Sequence, residues 1–130
     1  MKIGIVVANY YPKISKNLLK ASKEILIQNK INNSKVFYSP GVFEIPVIIS
    51  KNIKNYDAFI ALGCVIKGQT PHFQFISEAT TNAIMQISVN NKKPVGNGLI
   101  TCLNINQASA RSNPKKKIKV QKQLLLFFLC

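Results

Sequence analysis

Two continuous apolar runs limit the folds that this 130-residue chain can adopt. Residues 2–8 (KIGIVVA) and 56–66 (YDAFIALGCVI) are rich in β-branched side chains and show little polar alternation. This pattern predicts strands buried on both faces, which occur almost only in parallel sheets covered by helices. Shorter runs at 35–39 (KVFYS) and 94–102 (PVGNGLITC) predict two further strands.

The segments between these runs predict helices. Two long segments, 16–31 and 70–89, carry apolar or small side chains at helical spacing. The predicted buried face of the first consists of Leu18, Leu19, Ser22, Ile25 and Leu26. That of the second consists of Phe73, Ile76, Thr80, Ile84 and Ile87. A third helix is expected to begin near Pro46, because proline is tolerated in a first turn, and residues 104–111 predict a short fourth helix. The alternation predicts an α/β fold whose ligands bind at the carboxyl ends of parallel strands.

The net charge of +14 comes almost entirely from lysine. Lysine, isoleucine and asparagine share A/T-rich codons and are all abundant here, so we interpret most of this charge as genome bias and disfavour nucleic acid as the main partner. A basic module that binds RNA or an anionic surface through the lysine-rich end stays open as an alternative. The single arginine, Arg111, is more informative, because its planar guanidinium binds phosphate and carboxylate in a forked geometry.

Several classes of protein are disfavoured by the sequence. No window has the roughly 18 apolar residues of a membrane span, and the first residues do not resemble a signal peptide, so we expect a cytoplasmic protein. Cys64, Cys102 and Cys130 lack CxxC spacing and accompany a single histidine, which predicts structural thiols and no metal site. We expect one α/β domain at 1–113, followed by a divergent basic and apolar tail at 114–130.

The only histidine, His72, follows a Gly-Gln-Thr loop at the predicted start of the second long helix. Thr70 suits the N-cap and Pro71 the first helical position, which would leave backbone N–H groups free to bind an anion. His72 would then lie in the first turn, where the helix dipole disfavours its charged form. A neutral imidazole there could transfer protons on a phosphate-bearing substrate, although an ordinary surface histidine is the open alternative.

Aromatic residues occupy two other loops at the expected ligand-binding edge. Tyr10 and Tyr11 follow the first strand, and Phe43 lies in the PGVFE segment. Flat rings at this position suit a flat heterocycle, although a core position for Phe43, which is more common in general, is the open alternative. Glu44 is one of only four acidic residues, which favours a ligand-binding role for this loop.

Together these segments resemble the 6,7-dimethyl-8-ribityllumazine synthase family of riboflavin biosynthesis. The matching segments are GIVVANYY (4–11), PGVFEIP (40–46), ALGCVIKGQTPHF (61–73) and PVGNGLITCLNINQASAR (94–111). The resemblance implies a flavodoxin-like three-layer sandwich with a four-stranded parallel sheet. It also implies condensation of 5-amino-6-ribitylaminouracil with 3,4-dihydroxy-2-butanone 4-phosphate, with loss of phosphate and water. No metal or organic cofactor is expected.

The resemblance also implies roles for particular residues. His72 corresponds to the proton donor and acceptor. The implied substrate-binding residues are Tyr10, Val42, Phe43, Glu44, Cys64, Val65, Ile66 and Asn97. The implied phosphate-binding residues are Gln69, Thr70, Arg111 and Lys119. The family's site lies between neighbouring subunits of a homopentamer, or of a multiple of pentamers, with Arg111 supplied by the neighbour.

The sequence departs from the family pattern in three places. Asn97 stands where many members have phenylalanine, and Gln74 where an acidic residue often follows the histidine. After Lys119 the resemblance stops, so we expect the last helix to be missing or altered. A reading-frame slip within 117–119 would explain this, and would leave a marginally stable chain with impaired activity. A flavodoxin-like nucleotide or flavin binder without condensation chemistry is a further alternative.

Overall fold

A computed structural model describes residues 1–69 and 72–113 of the chain. Its single sheet contains four strands: β1 Ile3–Ala8, β2 Ser34–Ser39, β3 Ala58–Ile66 and β4 Val95–Cys102. They lie in the order β2-β1-β3-β4, and every neighbouring pair is parallel. The predicted four-stranded parallel sheet is therefore confirmed.

Within these described ranges, four helices cover the sheet: α1 Pro12–Gln28, α2 Ile45–Asn52, α3 Phe73–Asn91 and α4 Ile105–Arg111. Side chains from α1 and α4 share one buried cluster with one face of the sheet. Side chains from α2 and α3 share another with the opposite face. The result is the three-layer flavodoxin-like arrangement that the family resemblance implied. Within the described ranges, no helix has the length and apolar character needed to cross a membrane.

The two buried clusters follow from the alternation of side chains along β3. Ile60 and Leu62 point towards α1, whereas Phe59 and Ala61 point towards α2 and α3. All four are at most 1% exposed. Because both faces are buried, the strand has no reason to alternate polar and apolar residues, and its uninterrupted apolar sequence is explained.

The predicted buried faces of the two long helices are confirmed. In α1 the predicted residues Leu18, Ser22, Ile25 and Leu26 are buried, and Leu19 packs against the same cluster. In α3, Thr80 and Ile84 are buried, while the half-buried residues that pack beside them are Phe73, Ile76 and Ile87. Helical periodicity therefore identified which side of each helix meets the sheet.

The predicted starting points of these helices were wrong. α1 begins at Pro12 rather than at residue 16, because Pro12 suits a first turn and Ile14 is already buried. α3 begins at Phe73, because His72 has non-helical backbone angles (φ −112°, ψ 31°) and occupies the N-cap. The predicted cap at Thr70 and Pro71 lies outside the described residues, as does the predicted tail at 114–130.

The strand order creates a crevice at one edge of the sheet. From β1 the chain forms β2 on one side and later returns to form β3 on the other. The connections leaving β1 and β3 therefore diverge at the carboxyl edge, which is where ligands bind in open α/β sheets.

Candidate active site

A pocket of about 360 Å³ occupies this crevice. It is lined by residues that follow β1 and β2, by the end of β3 and by one residue of α3. These residues are Tyr10, Tyr11, Pro40, Gly41, Val42, Phe43, Glu44, Cys64, Val65 and Ile76. Segments far apart in the chain therefore meet at the edge that the sequence had predicted.

The loop after β1 forms an aromatic wall. The rings of Tyr10 and Tyr11 meet edge to face, with centroids 4.9 Å apart and planes at 76°. Tyr10 is 61% exposed, so its ring is accessible to a ligand. The Ser15 hydroxyl oxygen lies within hydrogen-bond distance of the carbonyl oxygens of Ala8 (2.6 Å) and Tyr11 (3.0 Å). These contacts hold the loop against α1. Burial is the main cause of a raised pKa for Tyr11, and the neighbouring Tyr10 and Cys64 add to the rise.

The opposite wall is a short 3₁₀ helix, Val42–Glu44. Val42 is buried against the sheet, whereas Phe43 is 52% exposed beside the pocket. Phe43 is therefore not a core residue, and the alternative left open by the sequence is excluded. The half-buried Glu44 supplies a carboxylate to the same pocket.

The floor of the pocket is formed by the end of β3. Cys64 is only 6% exposed and its thiol is free. Burial raises the pKa of Cys64 to about 12, Cys102 adds to the rise, and the Arg111 guanidinium opposes it. Cys64 is in register with Ile100, two residues before Cys102. The two side chains are close enough to hydrogen-bond, and both thiols are free. The raised pKa keeps the Cys64 thiol in its neutral form at neutral pH.

His72 is exposed and lies at the N-terminus of α3. Its carbonyl accepts a hydrogen bond of 2.9 Å from the N–H of Ile76, which itself lines the pocket. His72 is thus one turn away from the pocket wall, at the cap and not inside the first turn as predicted. The first N–H groups of α3 after this cap have no acceptor within the helix, so they can bind an anion beside the imidazole.

Arg111 is the last residue of α4, beside the end of β4. Its Nη1 donates to the carbonyl of Thr101 at 2.7 Å and lies 3.7 Å from the Cys102 sulfur. The side chain is exposed and does not line the pocket of its own chain.

The remaining predicted site residues are dispersed. Ile66 is 1% exposed within the core cluster beneath α1, away from the pocket lining. Asn97 lies opposite Ala61 in the middle of edge strand β4, and its side-chain oxygen accepts from the Leu99 N–H at 3.0 Å. Gln69 ends the short 3₁₀ segment Lys67–Gln69 that follows β3. Thr70 and Lys119 are outside the described residues.

Some pocket residues were not assigned to the site from the sequence. Ile76 was predicted only as part of the buried face of α3, although its position one turn after His72 could have identified it. Pro40 and Gly41 belong to the PGVFE segment, but the sequence did not assign them to the pocket wall. Within the part of the chain that is described, no cluster of three or more His, Cys, Asp or Glu side chains could hold a metal ion.

The fold and this pocket define a class: a flavodoxin-like α/β protein with an aromatic ligand pocket where the strand order reverses. A sequence profile of the 6,7-dimethyl-8-ribityllumazine synthase family matches residues 1–123. The chain therefore belongs to this transferase family, which confirms the resemblance inferred from the four segments. The matched region continues into the segment that was predicted to diverge.

Named relatives support this assignment. The 6,7-dimethyl-8-ribityllumazine synthase of Vesicomyosocius okutanii is 42% identical over 124 residues, covering 88% of this chain and 74% of the relative. That of Mycolicibacterium paratuberculosis is 36% identical over 112 residues, covering 86% and 70%. That of Ruthia magnifica is 35% identical over 130 residues, covering 93% and 78%. The basic binding module is accordingly not favoured.

Proposed function

We propose that this chain forms 6,7-dimethyl-8-ribityllumazine. It condenses 5-amino-6-ribitylaminouracil with 3,4-dihydroxy-2-butanone 4-phosphate and releases phosphate and water. The observation that carries this proposal is the pocket at the reversal of strand order, in a member of this family, where exposed aromatic rings meet a single carboxylate. A cytoplasmic location is part of the proposal.

The ribitylaminouracil occupies the pocket between the two walls. Its flat pyrimidine stacks on the exposed ring of Tyr10, with Phe43 on the opposite side. The Glu44 carboxylate accepts hydrogen bonds from the polar groups of this substrate. Cys64 and Val65 give an apolar floor, which excludes water from the ring.

The phosphate-bearing substrate lies at the N-terminus of α3. There the free backbone N–H groups hold the phosphate with the aid of Gln69, Thr70, Arg111 and Lys119. His72 accepts and returns protons as the imine forms and phosphate departs. Gln74 donates to the Glu78 carboxylate at 3.1 Å, so its amide is engaged along the helix.

Most of the catalysis comes from positioning. Holding two reactants in register contributes as much as about 7–11 kcal/mol, because a bimolecular encounter becomes an intramolecular step. Proton transfer by His72 adds a factor of about 10²–10⁴. No covalent bond between enzyme and substrate is needed.

We further propose that the site is completed by a neighbouring copy within a homopentamer or a multiple of it. Arg111 and Asn97 do not line the pocket of their own chain. The outward face of α3 exposes large apolar side chains, including Phe75, Met85 and Val89, each at least 63% exposed. Such a surface in a soluble enzyme supports a contact with another subunit.

The test is to incubate purified protein with both substrates and to follow lumazine absorbance together with phosphate release. We expect equal amounts of lumazine and phosphate. His72→Ala should lower kcat by about 10²–10⁴-fold, whereas Phe43→Ala should chiefly raise KM. Tight binding of flavin or nucleotide without lumazine formation would instead support a binding protein. Salt-sensitive RNA binding that ignores His72→Ala would support the basic module.

A further inference from the structure

We infer that Gly63 is a positioning residue that sets the width of the substrate pocket. Its lack of a side chain lets the Val42–Glu44 segment rest directly on the sheet, which fixes how far this wall stands from the opposite one. This role rests on the proposed function, since the wall contacts the proposed uracil substrate. Gly63 itself is not among the pocket-lining residues.

The space above Gly63 is already filled. A Cβ atom added there would lie 2.8 Å from Val42 Cγ2, 3.1 Å from Ala8 Cβ and 3.3 Å from Leu99 Cδ2. Carbon atoms in ordinary contact are about 3.5–4.0 Å apart. The Val42 side chain would therefore have to move by roughly 1 Å to admit a methyl group.

The backbone does not require glycine at this position. Among the described residues, no glycine has a positive φ angle, and residue 63 lies within the regular strand β3. Any residue could adopt this conformation, so the glycine serves the close approach of Val42 and not a turn.

A displacement of Val42 would reach the pocket because the segment around it is held at both ends. Before it, the Ser39 hydroxyl donates to the Gly41 carbonyl at 2.6 Å. After it, Ile45 is completely buried. Lifting Val42 between these anchors tilts the 3₁₀ helix and moves Phe43, the ring proposed to face the pyrimidine.

The chain offers a matched control in Gly4. A Cβ added to Gly4 would lie 2.9 Å from two ring atoms of Phe59, a crowding comparable to that at Gly63. Gly4 is also buried in a central strand, but it lies near the amino end of β1 and does not line the pocket.

The experiment compares Gly63→Ala with Gly4→Ala in the assay for lumazine formation. We expect both variants to lower Tm by about 5–10 °C, because both overpack the core. Only Gly63→Ala should raise KM for the ribitylaminouracil, by roughly tenfold or more, because small displacements of binding groups are costly. Equal KM changes in the two variants would overturn the proposal. A wild type that forms no lumazine would contradict the proposed function instead.

A second variant keeps the test decisive if Gly63→Ala folds poorly. Val42→Ala removes the Cγ2 atom that the new methyl group would strike. In Gly63→Ala/Val42→Ala, both Tm and KM should return close to the values of Val42→Ala alone. Additive losses would show that Gly63 does not act through Val42, and would contradict the inference.

Discussion

The outward faces of α1 and α3 differ sharply although both helices pack on the same sheet. α1 exposes four lysines at helical spacing: Lys13, Lys16, Lys20 and Lys23. α3 is two residues longer, yet its only charged residue is Glu78, and its exposed side chains include Phe75, Met85 and Val89. Both helices come from the same lysine-rich chain, so codon bias alone cannot explain the difference.

The contrast indicates two different surroundings. Charged residues are depleted from the centres of protein interfaces, where large apolar side chains are enriched. The outward face of α3 fits a contact with another copy of the chain, whereas that of α1 fits exposure to solvent.

A lysine placed on each helix provides the most severe test of this difference. Met85→Lys puts an unpaired charge into the proposed contact, which should weaken association more than about a hundredfold. The matched control is Ile27→Lys on α1, since Ile27 is 66% exposed and Met85 63%. Sedimentation should show smaller species for the first variant only, together with a loss of lumazine formation.

Met85→Lys should have no effect if the outward face of α3 is exposed to solvent. Met85→Lys would then leave the sedimentation coefficient and activity unchanged, just like Ile27→Lys. Dissociation by Ile27→Lys alone would place the subunit contact on α1.

The inward faces of the two helices should respond alike to loss of a buried hydroxyl. Ser22 in α1 and Thr80 in α3 each bury a side-chain oxygen for which the described part of the structure provides no hydrogen-bond partner. Ser22→Ala and Thr80→Val remove these groups, so each should stabilise the fold by about 1 kcal/mol. Thermal unfolding should show a Tm increase of a few degrees for each variant, and a decrease would show that the hydroxyl has a partner in solution.

The lysines of α1 should produce only a small effect. Lys20→Glu replaces repulsion with Lys16 and Lys23 by attraction, but it also turns the attraction between residue 20 and Glu24 into repulsion. The net gain is therefore that of about one pair, roughly 0.2–0.5 kcal/mol. Unfolding in denaturant should show this gain at low salt and lose it at 1 M salt, because exposed charges are screened. A gain that persists at high salt would mean that Lys20 is not freely exposed to solvent.

The sequence predicted the elements that depend on repeated burial. The prediction of the inward face of α3 was correct because Thr80 and Ile84 repeat at the helical period and pack against the same layer. The predictions of β1 and β3 were correct because a strand buried on both faces requires an uninterrupted apolar run. In each case many residues carry the same signal, and single exceptions do not obscure it.

Features that depend on individual contacts could not be predicted from the sequence in this way. The start of α3 at Phe73 depends on the backbone angles of His72, whereas the sequence predicted a start at residue 70. The bond from Arg111 to the Thr101 carbonyl and the crowding of Gly63 by Val42 join segments that are distant in sequence. No local pattern records such approaches, since they arise only when the layers pack.

The measurement that most directly tests a shared active site mixes two inactive variants. His72→Ala and Arg111→Ala are produced separately and together in one cell, and lumazine formation is compared. If neighbouring copies complete each site, random mixing in equal amounts gives about a quarter of the sites both an intact His72 and an intact Arg111. The mixed protein should then recover about a quarter of the wild-type activity, while each variant alone stays nearly inactive. If the mixture is no more active than the two variants alone, the shared site is contradicted.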